Sequence, residues 1–167
     1  YRGLGGGAFG PPLFFGMGPD AADGRLEDLD GDGLVDMLLA GSPGIGIKRG
    51  LGHFGFGGTQ FVFFQSVDAR LGLADLDDDG DLDLVANHGA LAAEVFLRGD
   101  GSGGFVESAR LTGMPAGADP LPADFDQDGD LDVGRVRAEP ATVFEWISNH
   151  TYGPDEPWTD VGSASSE

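Results

Sequence analysis

The sequence contains no cysteine among its 167 residues, and it is poor in positive charge. Without thiols the protein has no disulfide framework, no zinc–thiolate site and no cysteine nucleophile. Nine Lys and Arg residues stand against 29 Asp and Glu residues, which gives a formal net charge of −20. Such a chain repels phosphate instead of neutralising it, so the composition argues against a nucleic-acid partner.

Long apolar runs are absent as well. No stretch of 18 apolar residues occurs, and we therefore expect no membrane-spanning helix. The sequence shows neither a signal peptide nor an initiating Met, and we expect a processed product or a piece of a longer chain. Hydrophobic residues make up 40% of the chain, which suffices for a folded core. The 31 Gly and 10 Pro residues favour short strands joined by tight turns over long helices.

Three acidic segments of nine residues recur along the chain. They begin at Asp28, Asp75 and Asp124, so their starts differ by 47 and 49 residues (75 − 28 and 124 − 75). A period in the range of roughly 40–50 residues is typical of propeller blades. At positions 1, 3, 5, 7 and 9 the segments carry Asp28, Asp30, Asp32, Leu34 and Asp36; Asp75, Asp77, Asp79, Asp81 and Asp83; and Asp124, Asp126, Asp128, Asp130 and Asp132.

This residue pattern indicates a cation site in each acidic segment. Ca²⁺ takes six to eight oxygen ligands, and carboxylates at alternate positions of a tight loop converge on one point. Gly at position 6 allows the turn, position 7 supplies a backbone carbonyl, and position 9 supplies the last carboxylate. Crowded carboxylates repel one another unless a cation neutralises them. We therefore predict about three bound Ca²⁺ ions with all fifteen residues as ligands.

A second pattern, Arg-Gly-x-Gly followed by Phe, recurs at the same period. Residues 1–9 align with residues 97–105, and residues 48–54 form a version two residues shorter. Gly provides the positive φ that a tight hairpin needs. We expect Phe9, Phe54 and Phe105 each to begin the next strand and to point into the core.

The acidic segments resemble the FG-GAP repeat, also called VCBS, of integrin α-subunit propellers and secreted bacterial proteins. Residues 74–85 are similar to its central motif, and the Arg-Gly hairpins resemble its glycine turns. The resemblance implies a β-propeller with calcium between the first two strands of each blade. EF-hands and dockerins instead place Glu at position 12, where this chain has Leu39, Ala86 and Arg135. Thrombospondin type 3 repeats contain Cys.

The predicted fold is all-β, with four-stranded antiparallel blades and no helix of ten or more residues. Strands are expected around each acidic loop and at 45–48, 60–65, 94–98 and 142–147. We divide the single repeat domain into an incomplete blade (1–20), two blades (21–66 and 67–115) and a degenerate final blade (116–167). About three and a half blades cannot close a ring alone. We therefore expect completion by other copies of the chain or by the rest of a longer propeller.

Weaker motifs have competing interpretations. Arg98-Gly99-Asp100 is an adhesive tripeptide in other proteins, but its place in a repeated hairpin favours a structural turn. Asn149 begins an N-glycosylation sequon in an expected turn. His53, His88 and His150 are far apart and favour scattered surface histidines over a catalytic set. Aromatic residues near Phe14 and Phe61 could stack on sugars, although packing between blades is favoured.

The predicted function is an extracellular, secreted or cell-surface calcium-binding module for adhesion, assembly, or glycan or protein binding, with structural calcium. No catalytic set is visible, and we expect no enzymatic activity. Two alternatives stay open: a self-assembling filament or sheath subunit, and an accessory propeller of a secreted polysaccharide lyase or phospholipase.

Overall fold

The computed structural model describes residues 1–15, 21–63, 69–113, 119–137, 143–149 and 161–164. These residues form a two-stranded hairpin and three four-stranded antiparallel sheets, which confirms the predicted all-β fold. Within them the helical content is a single 3₁₀ turn at Gly89–Leu91, and no helix is long and apolar enough to span a membrane.

The strands follow one another in chain order within each sheet. The hairpin contains β1 (Gly3–Gly5) and β2 (Ala8–Phe9); the first sheet β3 (Asp23–Glu27), β4 (Asp36–Ala40), β5 (Ile45–Gly50) and β6 (Phe56–Phe63); the second sheet β7 (Ala69–Ala74), β8 (Asp83–His88), β9 (Ala93–Gly99) and β10 (Phe105–Thr112); and the third sheet β11 (Leu121–Ala123), β12 (Asp132–Arg137), β13 (Val143–Asn149) and β14 (Val161–Ala164). Each sheet is the meander expected of a propeller blade, with the acidic segment between its first two strands.

The core between the first two sheets is aliphatic. Leu38 and Ile47 of the first sheet share a buried cluster with Leu71, Leu84 and Val95 of the second. Side chains alternate across each strand, so one face of β4 and β5 meets the opposite face of β7, β8 and β9. Burying this face removes the apolar residues from water and holds the two sheets together.

Backbone-directed polar contacts also join these two sheets. The Asp23 carboxylate accepts a hydrogen bond of 2.9 Å from the Leu71 amide, and the Arg25 guanidinium donates to the Leu71 carbonyl oxygen. Arg70 donates to the Ala22 carbonyl oxygen at 3.2 Å. These contacts fix the relative register of the first strands of two successive sheets.

The interface between the second and third sheets contains a buried charge pair beside an apolar cluster. Val85 and Phe96 pack against Val133. Next to them, Arg135 Nη1 donates to Glu94 Oε2 at 3.2 Å, and Glu94 is fully buried. Burial raises the pKa of Glu94, while the Arg135 charge acts in the opposite direction.

The prediction for the three phenylalanines is correct at only one position. Phe105 begins β10 and is 8% exposed, but Phe9 is 69% exposed. Phe54 lies within the turn, and Phe56 is the residue that begins β6 and pairs with Gly50, as Phe105 pairs with Gly99. The turn after Arg49 is therefore not shorter than the turn after Arg98.

Several other sequence predictions need correction or fall outside the described residues. Strand β6 begins at Phe56, four residues before the predicted start. Asn149 is the last residue of β13 and pairs with Val161, so the sequon begins in a strand and not in a turn. His88 is 2% exposed and is not a surface residue. Phe64, Gln65, Thr142 and His150 lie outside the described residues.

Candidate metal centres

Each acidic loop links the first and second strands of a sheet, and its amide groups fold onto its own carboxylates. The position-6 glycine amide donates to the position-1 aspartate in all three loops, at 2.8, 2.9 and 3.2 Å. The position-7 amide donates to the position-5 aspartate at 2.7, 2.9 and 3.0 Å. Because the same bonds recur three times, the loops share one conformation. The residues involved are Asp28, Asp32, Gly33 and Leu34; Asp75, Asp79, Gly80 and Asp81; and Asp124, Asp128, Gly129 and Asp130.

The position-9 aspartate holds the start of the loop through hydrogen bonds from backbone amides. Its Oδ2 accepts the position-2 amide, at 3.2 Å in Asp36, 2.9 Å in Asp83 and 2.9 Å in Asp132. In the first two sheets its Oδ1 also accepts the amide of Gly50 or Gly99, at 2.7 and 2.8 Å. All three aspartates are buried, so these carboxylates tie each loop to the strand pair behind it.

Three carboxylates converge in each loop, with ligand atoms within 4.8 Å of one another. Positions 1 and 3 contribute in every loop, together with position 5 in the first loop and position 9 in the other two. The converging sets are Asp28, Asp30 and Asp32; Asp75, Asp77 and Asp83; and Asp124, Asp126 and Asp132. The structure thus brings together nine of the fifteen predicted ligands as three groups, one in each loop. Of the other six, Asp36 joins no such group and instead pairs with Arg49 Nη1 at 2.8 Å. Asp79 and Asp128 join none either, and they accept the position-7 amides of Asp81 and Asp130, as Asp32 accepts the amide of Leu34.

The donor chemistry of these groups fits a hard divalent cation. Asp28 Oδ1 and Asp77 Oδ1 are buried atoms without a hydrogen-bond partner, although buried carboxylate oxygens normally have one. A bound cation would satisfy both. The donor atoms are all oxygens, which suits Ca²⁺ or Mg²⁺ and not a soft metal.

The second loop is the most strongly desolvated of the three. Burial raises the pKa of Asp83 to about 6, with the Asp77 and Asp79 charges adding to the effect and two amide hydrogen bonds opposing it. Burial and the neighbouring Asp79 also raise the pKa of Asp77. In the third loop, burial and Asp128 raise the pKa of Asp130. Burial is the main cause of these raised pKa values, and the neighbouring carboxylates add to it; a bound cation would favour the ionised carboxylates and so oppose both effects.

Arginines reach into two of the acidic loops, which sequence reasoning missed. Arg49 Nη1 lies 2.8 Å from Asp36 Oδ2 and 3.5 Å from Asp30 Oδ2. Arg98 contacts Asp77 and Asp79, each at 2.9 Å. A signal was in the sequence, because both arginines precede the glycine of an Arg-Gly hairpin that follows an acidic loop, 13 residues after Asp36 (49 − 36) and 15 residues after Asp83 (98 − 83).

In the first two sheets the glycine of the Arg-Gly pair permits close approach of another backbone segment and does not adopt positive φ. A Cβ at Gly50 would collide with the Val35 carbonyl oxygen, and one at Gly99 with the Leu82 carbonyl oxygen. Arg98, Gly99 and Asp100 thus each have a structural contact: Arg98 in the acidic loop, the Gly99 amide on Asp83, and Asp100 accepting amides of Ser102 and Gly104. These contacts support the interpretation of the tripeptide as a repeat turn.

Comparisons with known proteins agree with this architecture. Residues 75–134 match the family model of the FG-GAP-like repeat. No curated protein matches the chain. A solved structure that describes specific recognition of non-reducing terminal N-acetylglucosamine by an Agrocybe aegerita lectin is similar in fold, with a TM-score of 0.58 and 21% identity. That similarity covers 86% of this chain but 38% of the lectin chain. The acidic loop and the Arg-Gly hairpin of the second sheet lie inside the matched segment, so residues 75–134 have the sequence and the strand arrangement of an FG-GAP-like repeat.

Proposed function

We propose that this chain is a calcium-binding module of a secreted or cell-surface protein, in which the ions are structural and the propeller surface binds a glycan or protein. Asp28, Asp77 and their partners in the converging groups would hold the ions. Bound calcium would neutralise the loops and keep the first two strands of each sheet together.

The observation that carries the calcium assignment is the recurrence of buried, partnerless carboxylate oxygens at equivalent loops. Asp28 Oδ1 and Asp77 Oδ1 occur in different sheets, at position 1 and position 3. An isolated instance would be a local irregularity, whereas the same acidic loop in three sheets indicates a common ligand. At calcium ten times the dissociation constant, each ion would stabilise the fold by about 1.4 kcal/mol.

The decisive experiment is thermal unfolding of the full chain in millimolar CaCl₂ and in excess EDTA. We expect EDTA to lower the melting temperature, and readdition of CaCl₂ to restore it. Isothermal titration calorimetry of the calcium-free protein should give about three sites. An identical melting curve with and without EDTA would contradict structural calcium.

The fold of the Agrocybe aegerita lectin supports the binding part of the proposal at the level of architecture alone. Enzymatic activity is not part of the proposal, because the acidic side chains that converge among the described residues all belong to loops typical of cation sites.

Assembly is a second candidate function, favoured by the open face of the third sheet. The equivalent positions on the three sheets have very different exposures: Ala40 and Ile45 are 0% exposed, Asn87 1% and Glu94 0%, whereas Val136 is 49% and Phe144 38% exposed. In the first two sheets the following sheet covers this face. A further blade of a longer propeller or another copy of the chain would cover it in the third.

Light scattering at increasing protein concentration tests assembly between copies. We expect a mass above 17.2 kDa for the wild type and a monomer for Val136→Lys. Val106→Lys is the matched control, because Val106 is 71% exposed on an outer strand. A wild-type protein that stays monomeric and well folded would argue against self-assembly.

A further inference from the structure

A strained turn in the first sheet directs two large side chains towards the amino-terminal hairpin. Residues 52–55 form a tight turn in which the Gly55 amide donates to the Gly52 carbonyl oxygen at 2.8 Å. The two central residues, His53 and Phe54, have φ values of 51° and 63°. Turns of this type strongly prefer Asn-Gly, because a bulky side chain at positive φ crowds the backbone.

The repeat shows that this strain is specific to the first sheet. Phe54 corresponds to Gly7 in the hairpin and to Gly103 in the second sheet, whose φ values are 80° and 69°. Glycine adopts this conformation without steric cost. The turn itself therefore does not require Phe54, which is 52% exposed and contributes little to the core. Strain of this kind is associated with binding sites.

His53 and Phe54 line a cleft whose other wall is the amino-terminal segment. The cleft has a volume of about 510 Å³, within the range of small-molecule sites. Its lining includes Arg2, Leu4, Phe14, Phe15, His53 and Phe54. Phe15 packs edge-on against Phe56 at 5.0 Å, which fixes one wall on the first sheet. Phe14 is 89% exposed, so its ring is available to a ligand.

Arg2 gives the cleft a positive charge in a strongly acidic molecule. Among the residues that the structure describes, Arg2 has no carboxylate within ion-pair distance. Every other arginine with a described side chain has one: Arg25, Arg49, Arg70, Arg98, Arg110 and Arg135. None of the cleft-lining residues that the structure describes is acidic. The cleft is therefore complementary to an anion.

We propose that this aromatic and cationic cleft binds an acidic saccharide, a pyranose that carries a carboxylate. The apolar face of the sugar ring packs on Phe14 and Phe54, the carboxylate pairs with Arg2, and the His53 ring hydrogen-bonds a hydroxyl group. Guanidinium–carboxylate pairing gives the charge selectivity, and the flat aromatic surfaces select a ring. This inference deepens the glycan-binding part of the proposed function and does not depend on the metal assignment.

The probes are trigalacturonic acid and its methyl ester, titrated into the full chain by calorimetry and by protein NMR at a fixed calcium concentration. The ester has the same rings without the charge. We expect the acid to bind at least tenfold more tightly than the ester. We also expect Arg2→Gln and Phe14→Ala each to weaken binding of the acid about tenfold, and Arg110→Gln and Val106→Ala to leave it unchanged.

The double variant His53→Asn/Phe54→Gly separates a binding role from a structural one. It installs the preferred turn sequence, so its melting temperature should rise by on the order of 3 °C while acid binding falls tenfold or more. Equal binding of acid and ester, no binding of the acid at tens of millimolar, or full binding by this more stable variant would each overturn the proposal. Calcium titration of the same samples shows whether the metal assignment fails separately.

Discussion

Asp77 illustrates how one carboxylate in an acidic loop can be tested against its neighbour. Its Oδ1 is buried without a hydrogen-bond partner, whereas Asp78 occupies position 4 with a φ of 56°, a conformation that Asn tolerates well. We expect Asp77→Asn to weaken calcium binding at one site about tenfold or more and Asp78→Asn to change it little, although both remove the same charge. Calorimetric titration measures both. Equal losses would mean that net charge, and not ligand geometry, controls affinity.

His88 gives the protein a pH dependence independent of the acidic loops. Burial lowers its pKa, the nearby Arg110 charge adds to this, and its Nδ1 accepts the Leu91 amide at 3.3 Å. The unfolded chain takes up a proton near pH 6.5 while folded His88 resists it. Stability from this group is therefore present above pH 6.5 and is lost as pH falls through the lower folded pKa. Denaturant unfolding between pH 7.5 and 5 at saturating calcium should show a steeper decline for wild type than for His88→Asn. Parallel profiles would contradict this assignment.

Gly99 allows the acidic loop to approach the hairpin of the same sheet. Because a Cβ there would collide with the Leu82 carbonyl oxygen, we expect Gly99→Ala to destabilise the protein by about 2 kcal/mol or more. Gly58→Ala is the control, since nothing lies within 4 Å of its Cβ position. Chemical denaturation compares the two. A Gly99→Ala protein as stable as Gly58→Ala would show that the loop moves aside without cost.

At the level of the strands and sheets, the buried ion pair links Glu94 of β9 to Arg135 of β12. The equivalent positions in the first sheet carry apolar residues. Glu94 corresponds to Ile45, and Arg135 corresponds to Leu39. Removing one partner leaves a buried charge, so Arg135→Leu should cost about 3–5 kcal/mol, whereas a buried pair replaced by apolar residues is often neutral. We therefore expect Glu94→Ile/Arg135→Leu to recover most of the loss. An additive double variant in denaturant unfolding would show that the two side chains act independently.

The sequence predicts the elements of this fold well, because the acidic loops and the Arg-Gly hairpins mark their ends. The three loops with their flanking strands lie where the 47- and 49-residue spacing predicts them. The predicted alignment of the hairpin after Arg49 was wrong, because it matched Phe54 to the strand residue Phe105. The residue that begins the strand is Phe56, two positions later. The alignment depends on the turn conformation, in which His53 and Phe54 both adopt positive φ. The positions of the glycines in the sequence do not predict this, because neither residue is glycine.

Side-chain contacts between neighbouring strands and between sheets were not predicted from the sequence pattern. Arg49 and Arg98 are close to the acidic loops only because β5 and β9 run beside β4 and β8. Likewise, Glu94 and Arg135 are 41 residues apart and meet only when the sheets stack. Of the predicted ligands, the carboxylates at positions 1 and 3 converge in all three loops, whereas positions 5 and 9 alternate between loops.

At the scale of the whole molecule, the net charge of −20 makes the fold sensitive to any cation. Screening by monovalent salt and specific binding by calcium therefore need to be distinguished. At equal ionic strength we expect the melting temperature to rise more in CaCl₂ than in MgCl₂, because Mg²⁺ requires a smaller and stricter octahedral site. Equal increases in both salts would indicate general charge screening alone.

In each of the first two sheets, the position-9 aspartate hydrogen-bonds both the acidic loop and the Arg-Gly hairpin. The acidic loops and the hairpins therefore lie at the same end of the strands, and the cleft beside Phe54 lies there too. The links between the second and third strands, at 41–44 and 89–92, lie at the far ends of strands β4 and β8. An epitope tag or a fluorophore inserted there would leave both the ions and the cleft undisturbed. Those two links are therefore the places from which to engineer or immobilise the protein.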